Sequence, residues 1–415
     1  MNHRIPAWVD APPVFTDELA IQKRLIESAP FIGPGATLEK GLDYLAGIAD
    51  YSIRLAVSDD PLRPHLVRTS GVVSTDDPSS PNAVFRRNGL DNPDNDYLIC
   101  SLDADHEYEI TGLRGTSREV NFQLLDGNYS DRADSFAMNK GILPSRDIDV
   151  APDGKFQMRL SHRVDTSGNS MHMPDGTRAL IVRQTYSNWA NEAPGPIRIR
   201  RVGDDAPDSF RADDYFWERA ITYLRNTISL WLQFGPGVDA VVAAAAGPKS
   251  LPFNTSRPPR STPGGFPDQY SLSGRFLVDH DEAVVITMSS HSAAYHSIQL
   301  GDYWFTSLPY VHQQSSLNGS QYVVEPSGNV TAIISMSDPG VANWLDTCGL
   351  SEGYFFIRWQ GLPEGVIPEE PVIAKVRLDD LDRTSAVRSD SITERVQAFT
   401  RREQAVRRAD WSPIG

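Results

Sequence analysis

The chain has 415 residues, enough for two ordinary hydrophobic cores, and its composition is neither poor in aromatic residues nor low in complexity. Its net charge of −15 excludes a nucleic-acid backbone as partner, because binding phosphates requires a basic face. The two cysteines, Cys100 and Cys348, lie in no CxxC or His-rich spacing, which excludes a disulfide framework and a zinc site. We expect both to be buried thiols in a reducing compartment.

The N-terminal segment is predicted to be helical. No basic region followed by an apolar stretch opens it, so no secretory signal is indicated. We expect helices over Thr16–Ser28, with Thr16 as N-cap, and over Ala36–Ala56, whose apolar stripe predicts packing against a sheet. The longest run of small apolar residues in the whole chain, Ala240–Ala246, is too short to cross a bilayer. A cytoplasmic protein without a membrane partner is therefore expected.

Two β-domains with a helical linker follow this segment. Residues 60–95 are rich in Pro, Asp, Ser and Asn, which predicts a long loop with short strands. The predicted units are a helical segment over 1–60, a first β-domain over 95–203, a helical linker and Pro/Gly-rich loop over 204–265, a second β-domain over 266–378, and a C-terminal helix over 379–415. The linker helix is expected over Ser209–Phe234, where it could also form an interface, and Arg401–Arg408 is interpreted as a solvated helix face.

The second β-domain is predicted to be a copy of the first. Ile110–Leu124 aligns without a gap on Ile286–Leu300, about 175 residues later, and Pro, Gly, Asn and Arg landmarks after it keep nearly the same offset. A period of this length is too long for a solenoid repeat or a propeller blade. Residue alternation within the repeat is that of β-strands with one buried face. The pattern predicts a mainly β chain with helical additions, built by duplication.

Four motifs carry a resemblance to a known family. They are Tyr108–Gly112, Thr177–Trp189, Ser315–Gln321 and Asp338–Thr347, the last followed by Arg358 and Trp359. With these motifs the chain resembles the bacterial domain-of-unknown-function family DUF1214, which is related to the two-domain DUF1254/DUF1214 proteins. The resemblance implies tandem jelly-roll β-sandwiches, commonly in homo-oligomers, and no agreed activity. It also implies an association with the catabolism of aromatic compounds.

His296 is the first candidate for a functional residue. In the first copy Val120, Phe122 and Leu124 alternate with polar residues and mark the core face of a strand. The same positions in the second copy hold His296, Ile298 and Leu300. A buried imidazole that lacks a hydrogen bond costs about 1–3 kcal/mol. Either His296 is a satisfied core histidine, or it faces a pocket as an acid or base.

His296 lies in the stretch of the chain that is richest in histidine and aromatic residues. We predict that this stretch lines a pocket for an aromatic or hydrophobic ligand, although the same side chains suit an ordinary core. The candidate catalytic residues are His296, Tyr295, His291, His312 and Asp346, and the candidate substrate-binding residues are Tyr303, Trp304, Tyr310, Asn318, Trp344 and Arg358.

Two of these candidates also have structural interpretations. An Asp beside a Trp can have a raised pKa and act as acid or base, yet Asp346 also fits an ordinary loop after a Pro-Gly turn. Arg183 and Arg358 are matched between the copies, which favours a role in architecture. Each is expected to pair with a carboxylate or to cap carbonyl groups at a strand end.

No cofactor or metal is expected. The chain has no His-x-His pair of the cupin kind, and His291 and His296 are spaced so that they point to opposite faces of one strand. Phosphate-binding and dinucleotide-binding glycine motifs are missing, and so is the Gly-x-Ser-x-Gly motif of serine hydrolases.

The remaining chemistry is proton transfer by His, Tyr and Asp, which leads to elimination, hydration, isomerisation or retro-aldol cleavage. Our functional hypothesis is a cofactor-independent lyase that acts on an aromatic or hydrophobic metabolite, with His296 taking a proton and formaldehyde leaving by C–C cleavage. Tyr295, Tyr303 or His312 would protonate or stabilise the departing oxygen. The alternative is a non-catalytic ligand-binding or oligomeric assembly protein of jelly-roll type.

Overall fold

The computed structural model describes residues 11–72, 85–87, 89–163, 168–203, 213–234, 251–261, 266, 268–289, 293–381 and 392–411. Four α-helices are found in this part of the chain: α1 Pro13–Glu27, α2 Leu38–Val57, α3 Asp214–Phe234 and α4 Ile392–Trp411. No helix in these ranges is long and apolar enough to cross a membrane.

The strands belong to two successive groups. The first group is β1 Val67–Arg68, β2 Gly71–Val72, β3 Phe85–Arg86, β4 Asn95–Ser101, β5 Tyr108–Leu113, β6 Glu119–Leu125, β7 Asn139–Pro144, β8 Lys155–Ser161, β9 Ser170–His172, β10 Ala179–Thr185 and β11 Ile197–Arg201. The second is β12 Thr255–Ser256, β13 Arg260–Ser261, β14 Tyr270–Leu277, β15 Glu282–Ser289, β16 Tyr295–Gly301, β17 Ser316–Asn318, β18 Asn329–Ser335, β19 Trp344–Asp346, β20 Glu352–Gln360 and β21 Val372–Arg377. The predicted class, mainly β with helical additions, is confirmed.

The two groups form sheets with matching strand order. In the first copy the orders are β4-β10-β6-β7 and β11-β5-β8-β9, and in the second they are β14-β20-β16-β17 and β21-β15-β18-β19. Even the single parallel pairing is repeated, as β8 with β9 and as β18 with β19. Each pair of sheets encloses one apolar core, so a face of every central strand is buried within its own copy.

The outer faces of the two larger sheets are also covered. Ile99 and Ile181 of the first copy and Tyr354 of the second belong to one apolar cluster with residues of α1, α2 and α3. This helical layer fills the space that the two copies leave between them. Helix α2 was predicted to pack against a sheet. It contacts strands β1 and β3, and it packs more extensively against α1 and α3, so its second half is buried on almost every side.

Helix α1 begins earlier than predicted. It starts at Pro13, and Thr16 is not its N-cap but a residue of the first turn, whose hydroxyl donates to the Pro13 carbonyl at 2.9 Å. Proline is favoured at this place because its fixed φ and missing N–H suit the first turn of a helix. Helix α2 does begin with a threonine cap, since the Thr37 hydroxyl accepts a hydrogen bond from the Lys40 amide at 3.3 Å.

Helix α4 corrects the interpretation of the arginine-rich C-terminal stretch as a solvated face. Arg402 and Glu403 are buried, with 2 % and 0 % exposure. Arg68 of the first copy donates to the Glu403 carboxylate at 2.8 Å, and Arg402 donates to the Pro93 carbonyl at 2.9 Å. Arg395 reaches the second copy, where it donates to the Ser316 hydroxyl at 2.8 Å. The helix therefore binds both copies, through these charged groups and through the buried ring of Phe399, which packs with Trp189 of the first copy and Tyr310 of the second.

Candidate functional site

Segment 89–95 lies between the two copies and contacts the outer face of β16 and β20; we call this contact the seam. Arg358 donates to the Leu90 carbonyl at 2.6 Å, and Gln299 donates to the Asp91 carbonyl at 3.1 Å. Leu90 has a φ of 50°, which a leucine rarely adopts and which costs about 1–3 kcal/mol. Strained backbone of this kind is concentrated at functional sites and persists where the surroundings hold it in place.

The Asp94 carboxylate is the centre of the seam. It accepts hydrogen bonds from the Tyr295 hydroxyl at 2.6 Å, the Asn318 amide at 2.8 Å and the Trp189 indole at 2.7 Å. Tyr295 and Asn318 belong to the second copy and Trp189 to the first, so one carboxylate links both. Burial raises the pKa of Asp94, although these hydrogen bonds oppose the rise.

Asp91 is the second buried carboxylate of the seam. The Ser307 hydroxyl donates to it at 2.6 Å. Burial raises the pKa of Asp91 to about 6, against the hydrogen bond from Ser307 and the charges of Arg87 and Arg358. A carboxyl group with a pKa close to neutrality can both accept and return a proton, which is what general acid–base catalysis requires.

Tyr295 is the candidate catalytic residue that the structure brings into the seam. Burial and the neighbouring Asp94 raise the pKa of Tyr295 far above its ordinary value. Its hydroxyl is therefore protonated at neutral pH and acts as a donor. Asn318 and Arg358 lie in the same contact region, whereas the other candidates that the structure describes lie elsewhere.

His296 lies on the opposite face of β16. Its half-buried ring stacks at 5.0 Å on Tyr322, a residue of the core of the second copy, and forms no hydrogen bond with a described residue. Burial, with a smaller contribution from Arg118, lowers the pKa of His296 to about 4. The imidazole is therefore neutral at pH 7. Tyr295 and His296 are neighbours in sequence, but strand geometry places them on different sides of the sheet.

The structure distributes the aromatic side chains of the predicted pocket wall among separate clusters. Tyr303 and Trp304 pack with the helices α1 and α2, and the Trp304 indole donates to the Thr37 carbonyl at 2.9 Å. Tyr310 packs with Trp189 and with Phe399 of α4. A dense aromatic stretch in sequence thus contributes to two cores, since the chain turns between its members.

The remaining candidates do not join the seam. Trp344 and Asp346 lie on β19, at the edge of the second sheet of their copy, and burial raises the pKa of Asp346. The Nε2 atom of His312 is buried and has no hydrogen-bond partner among the described residues. His291 lies outside the described residues. Within those residues no three His, Cys, Asp or Glu side chains are arranged to hold a metal ion.

The matched arginines have no carboxylate partner among the described residues. Arg358 donates to Gln299 and to the Leu90 carbonyl, so it caps a carbonyl group as expected. Arg183 donates to the Tyr129 hydroxyl at 3.1 Å. Burial lowers the pKa of Arg358.

Asp91 and Asp94 are the site residues that sequence reasoning missed. They stand in the run Asp91-Asn92-Pro93-Asp94-Asn95, whose composition predicts a solvated loop. The composition of this run did not distinguish a solvated loop from a buried one. Short polar residues before a strand also fit a segment whose side chains form hydrogen bonds with buried partners. Those partners lie about 200 residues away, beyond the reach of local patterns.

Comparisons with known proteins give similarity without a function. No family model matches the chain, and no curated protein matches it. A crystal structure of an uncharacterised protein from Burkholderia cenocepacia is similar, with 28 % identity, a TM-score of 0.71, and coverage of 89 % of this chain and 97 % of that one. The VPA0106 protein from Vibrio parahaemolyticus has 13 % identity and a TM-score of 0.44, covering 80 % of this chain and 99 % of that one.

Proposed function

We propose that the protein is a cofactor-independent lyase that cleaves an aromatic or hydrophobic metabolite by acid–base chemistry at the seam. The observation that carries the proposal is Asp91, a buried carboxylate with a pKa of about 6 beside the Arg358 guanidinium. The strained Leu90 next to it and the loop position of both residues support a functional role.

In this proposal Asp91 takes the role that the sequence suggested for His296. The Asp91 carboxylate removes the proton of a substrate hydroxyl, and the C–O bond becomes a carbonyl as the adjacent C–C bond breaks. The electron pair of that bond passes to the conjugated carbon, which then recovers the proton from Asp91. A small carbonyl such as formaldehyde leaves. Positively charged Arg87 and Arg358 lie near enough to act on Asp91 and favour negative charge there.

Asp91→Asn is expected to lower turnover at least about 100-fold, since general acid–base catalysis contributes about 10²–10⁴-fold. The assay is formaldehyde release from a panel of hydroxylated aromatic compounds, measured from pH 5 to 8. Wild-type activity should rise with pH around an apparent pKa of about 6, because only the ionised carboxylate accepts a proton. Asp105→Asn, an exposed carboxylate of the same type, is the matched control.

Unchanged turnover in Asp91→Asn would remove the residue from the mechanism. If His296→Ala lost turnover as strongly as Asp91→Asn while staying folded, the base would have to be reassigned to His296. A wild-type chain that turns over no compound of the panel would contradict the lyase itself.

The second candidate function is a non-catalytic ligand-binding or assembly protein. The observation that favours it is that the Asp94 carboxylate already accepts three hydrogen bonds from the protein. Their donors are Tyr295, Asn318 and Trp189. An arrangement of this kind stabilises architecture without needing a substrate. Binding of an aromatic compound without turnover distinguishes this function from the lyase.

We further propose that the chain is a tandem jelly-roll member of DUF1214, cytoplasmic and homo-oligomeric. The matching strand order of the two copies supports the duplicated architecture. Ile367 and Val372, which are exposed beside edge strand β21, offer an apolar contact for a second copy of the chain. Sedimentation at micromolar concentration is expected to show an oligomer that Val372→Asp weakens; a wild-type monomer would contradict it.

A further inference from the structure

Arg183 and Arg358 occupy matched positions but differ in how their guanidinium groups are used. Arg358 bonds Gln299 and the Leu90 carbonyl, so two of its nitrogens are occupied by the protein. Within the described part of the chain, Arg183 has a single hydrogen bond, to the Tyr129 hydroxyl, and no ion pair with a carboxylate. The glutamine that corresponds to Gln299 is Gln123, and it donates to Asn139 at 3.3 Å. The first copy therefore leaves its arginine available.

Aromatic rings hold the Arg183 guanidinium in place. Its central carbon lies 4.7 Å from the centre of the Phe266 ring and 5.8 Å from that of Tyr97. Contacts of a cation with aromatic faces are favourable and leave the N–H edge of the guanidinium free to bind an anion. Arg183 is half-buried, so a bound anion would interact with it more strongly than on an open surface.

Two buried polar atoms without a partner lie on the same face of the sheet. Asn121 is paired directly with Arg183 in the β6–β10 register, and Thr185 is two residues along β10. Among the residues that the structure describes, the Asn121 Nδ2 and Thr185 Oγ1 atoms have no hydrogen-bond partner, although these residues are only 3 % and 1 % exposed. Leaving a buried donor unsatisfied costs about 1–3 kcal/mol, so the native chain gains if a ligand supplies acceptors.

We infer that Arg183, Asn121 and Thr185 form a subsite for the carboxylate of an aromatic acid. A carboxylate accepts two hydrogen bonds from a guanidinium and has lone pairs left for an amide and a hydroxyl. The rings of Phe266 and Tyr97 suit the aromatic part of the same molecule. The inference names the substrate class of the proposed lyase, an aromatic carboxylate. Turnover of this substrate rests on the proposed function, whereas its binding does not.

The test is calorimetric titration of the full chain with benzoate, and with benzamide as the uncharged isostere. Benzoate is expected to bind, and benzamide to bind at least about 10-fold more weakly. Arg183→Gln should weaken benzoate binding by about 10–100-fold, the range for a hydrogen bond to a charged group, and should leave benzamide binding nearly unchanged. Arg200→Gln removes the same charge from an exposed site on β11 and should change neither affinity.

A second variant keeps the test decisive if Arg183→Gln does not fold. Asn121→Asp places a carboxylate directly opposite Arg183, where it takes the guanidinium and repels a ligand anion. Benzoate affinity should fall by a similar factor, with an unchanged circular dichroism spectrum. Equal binding of benzoate by wild type and both variants, or equal binding of benzoate and benzamide, overturns the inference. If Asp91→Asn lost lyase turnover but still bound benzoate, binding at this subsite would be shown to be independent of the reaction.

Discussion

Glu403→Ala is expected to lower the free energy of unfolding by about 3 kcal/mol, because it breaks a buried ion pair and leaves Arg68 partly uncompensated. The Arg68 guanidinium donates to both Glu403 oxygens, at 2.7 and 2.8 Å, and also to Asp96. Burial by itself would raise the pKa of Glu403, but the charge and hydrogen bonds of Arg68 lower it below its ordinary value. Urea unfolding at pH 7 measures the loss.

Glu403→Gln should cost less than Glu403→Ala, since an amide oxygen still accepts one hydrogen bond from Arg68. The matched control is Gln404→Ala, which truncates the exposed neighbour on the same helix and should change stability by less than about 0.5 kcal/mol. Because the folded pKa of Glu403 is lowered, its stabilisation is present above the unfolded pKa and is lost as the pH falls. Equal losses in Glu403→Ala and Gln404→Ala would show that α4 is not held by this pair.

Between pH 7 and pH 4.5, the free energy of unfolding is expected to fall by about 2–3 kcal/mol less in His296→Phe than in the wild type. In the folded chain burial lowers the pKa of His296 to about 4, from 6.5 in the unfolded chain. The unfolded state therefore binds the proton first, and the wild type loses stability as the pH falls from 6.5 towards 4. Phenylalanine keeps the stacking on Tyr322 and has no proton to bind.

The measurement is urea unfolding of wild type and variant at both pH values, compared as differences so that other titrating groups cancel. His280→Phe serves as the matched control, because His280 lies on an exposed turn. If His296→Phe and His280→Phe changed the acid sensitivity equally, the buried, neutral state of His296 would be wrong. If His296→Phe also kept lyase turnover, the base would lie elsewhere, as proposed for Asp91.

The location of the groups proposed as active depended on contacts between distant parts of the chain. Tyr295 and Asn318 reach Asp94, and Arg358 reaches the Leu90 carbonyl, across more than 200 residues of sequence. No periodicity records such pairs, because each partner alone fits an ordinary polar position in a strand or loop. For the same reason the burial of Arg402 and Glu403 was not predicted. Their sequence pattern fits surface charges, and their partners are distant in sequence.

The sequence by itself determined the class of the fold, the two copies and the faces of their strands. Alternation with a period of two is local, so Val120 and Phe122, and likewise Ile298 and Leu300, are assigned to core faces from their neighbours alone. That rule also placed His296 towards the core of the second copy. Only the tertiary structure decided which outer faces meet. Polar groups of segment 89–95 and of helix α4 are buried there beside apolar side chains, and the burial of these polar groups depends on partners far away in sequence.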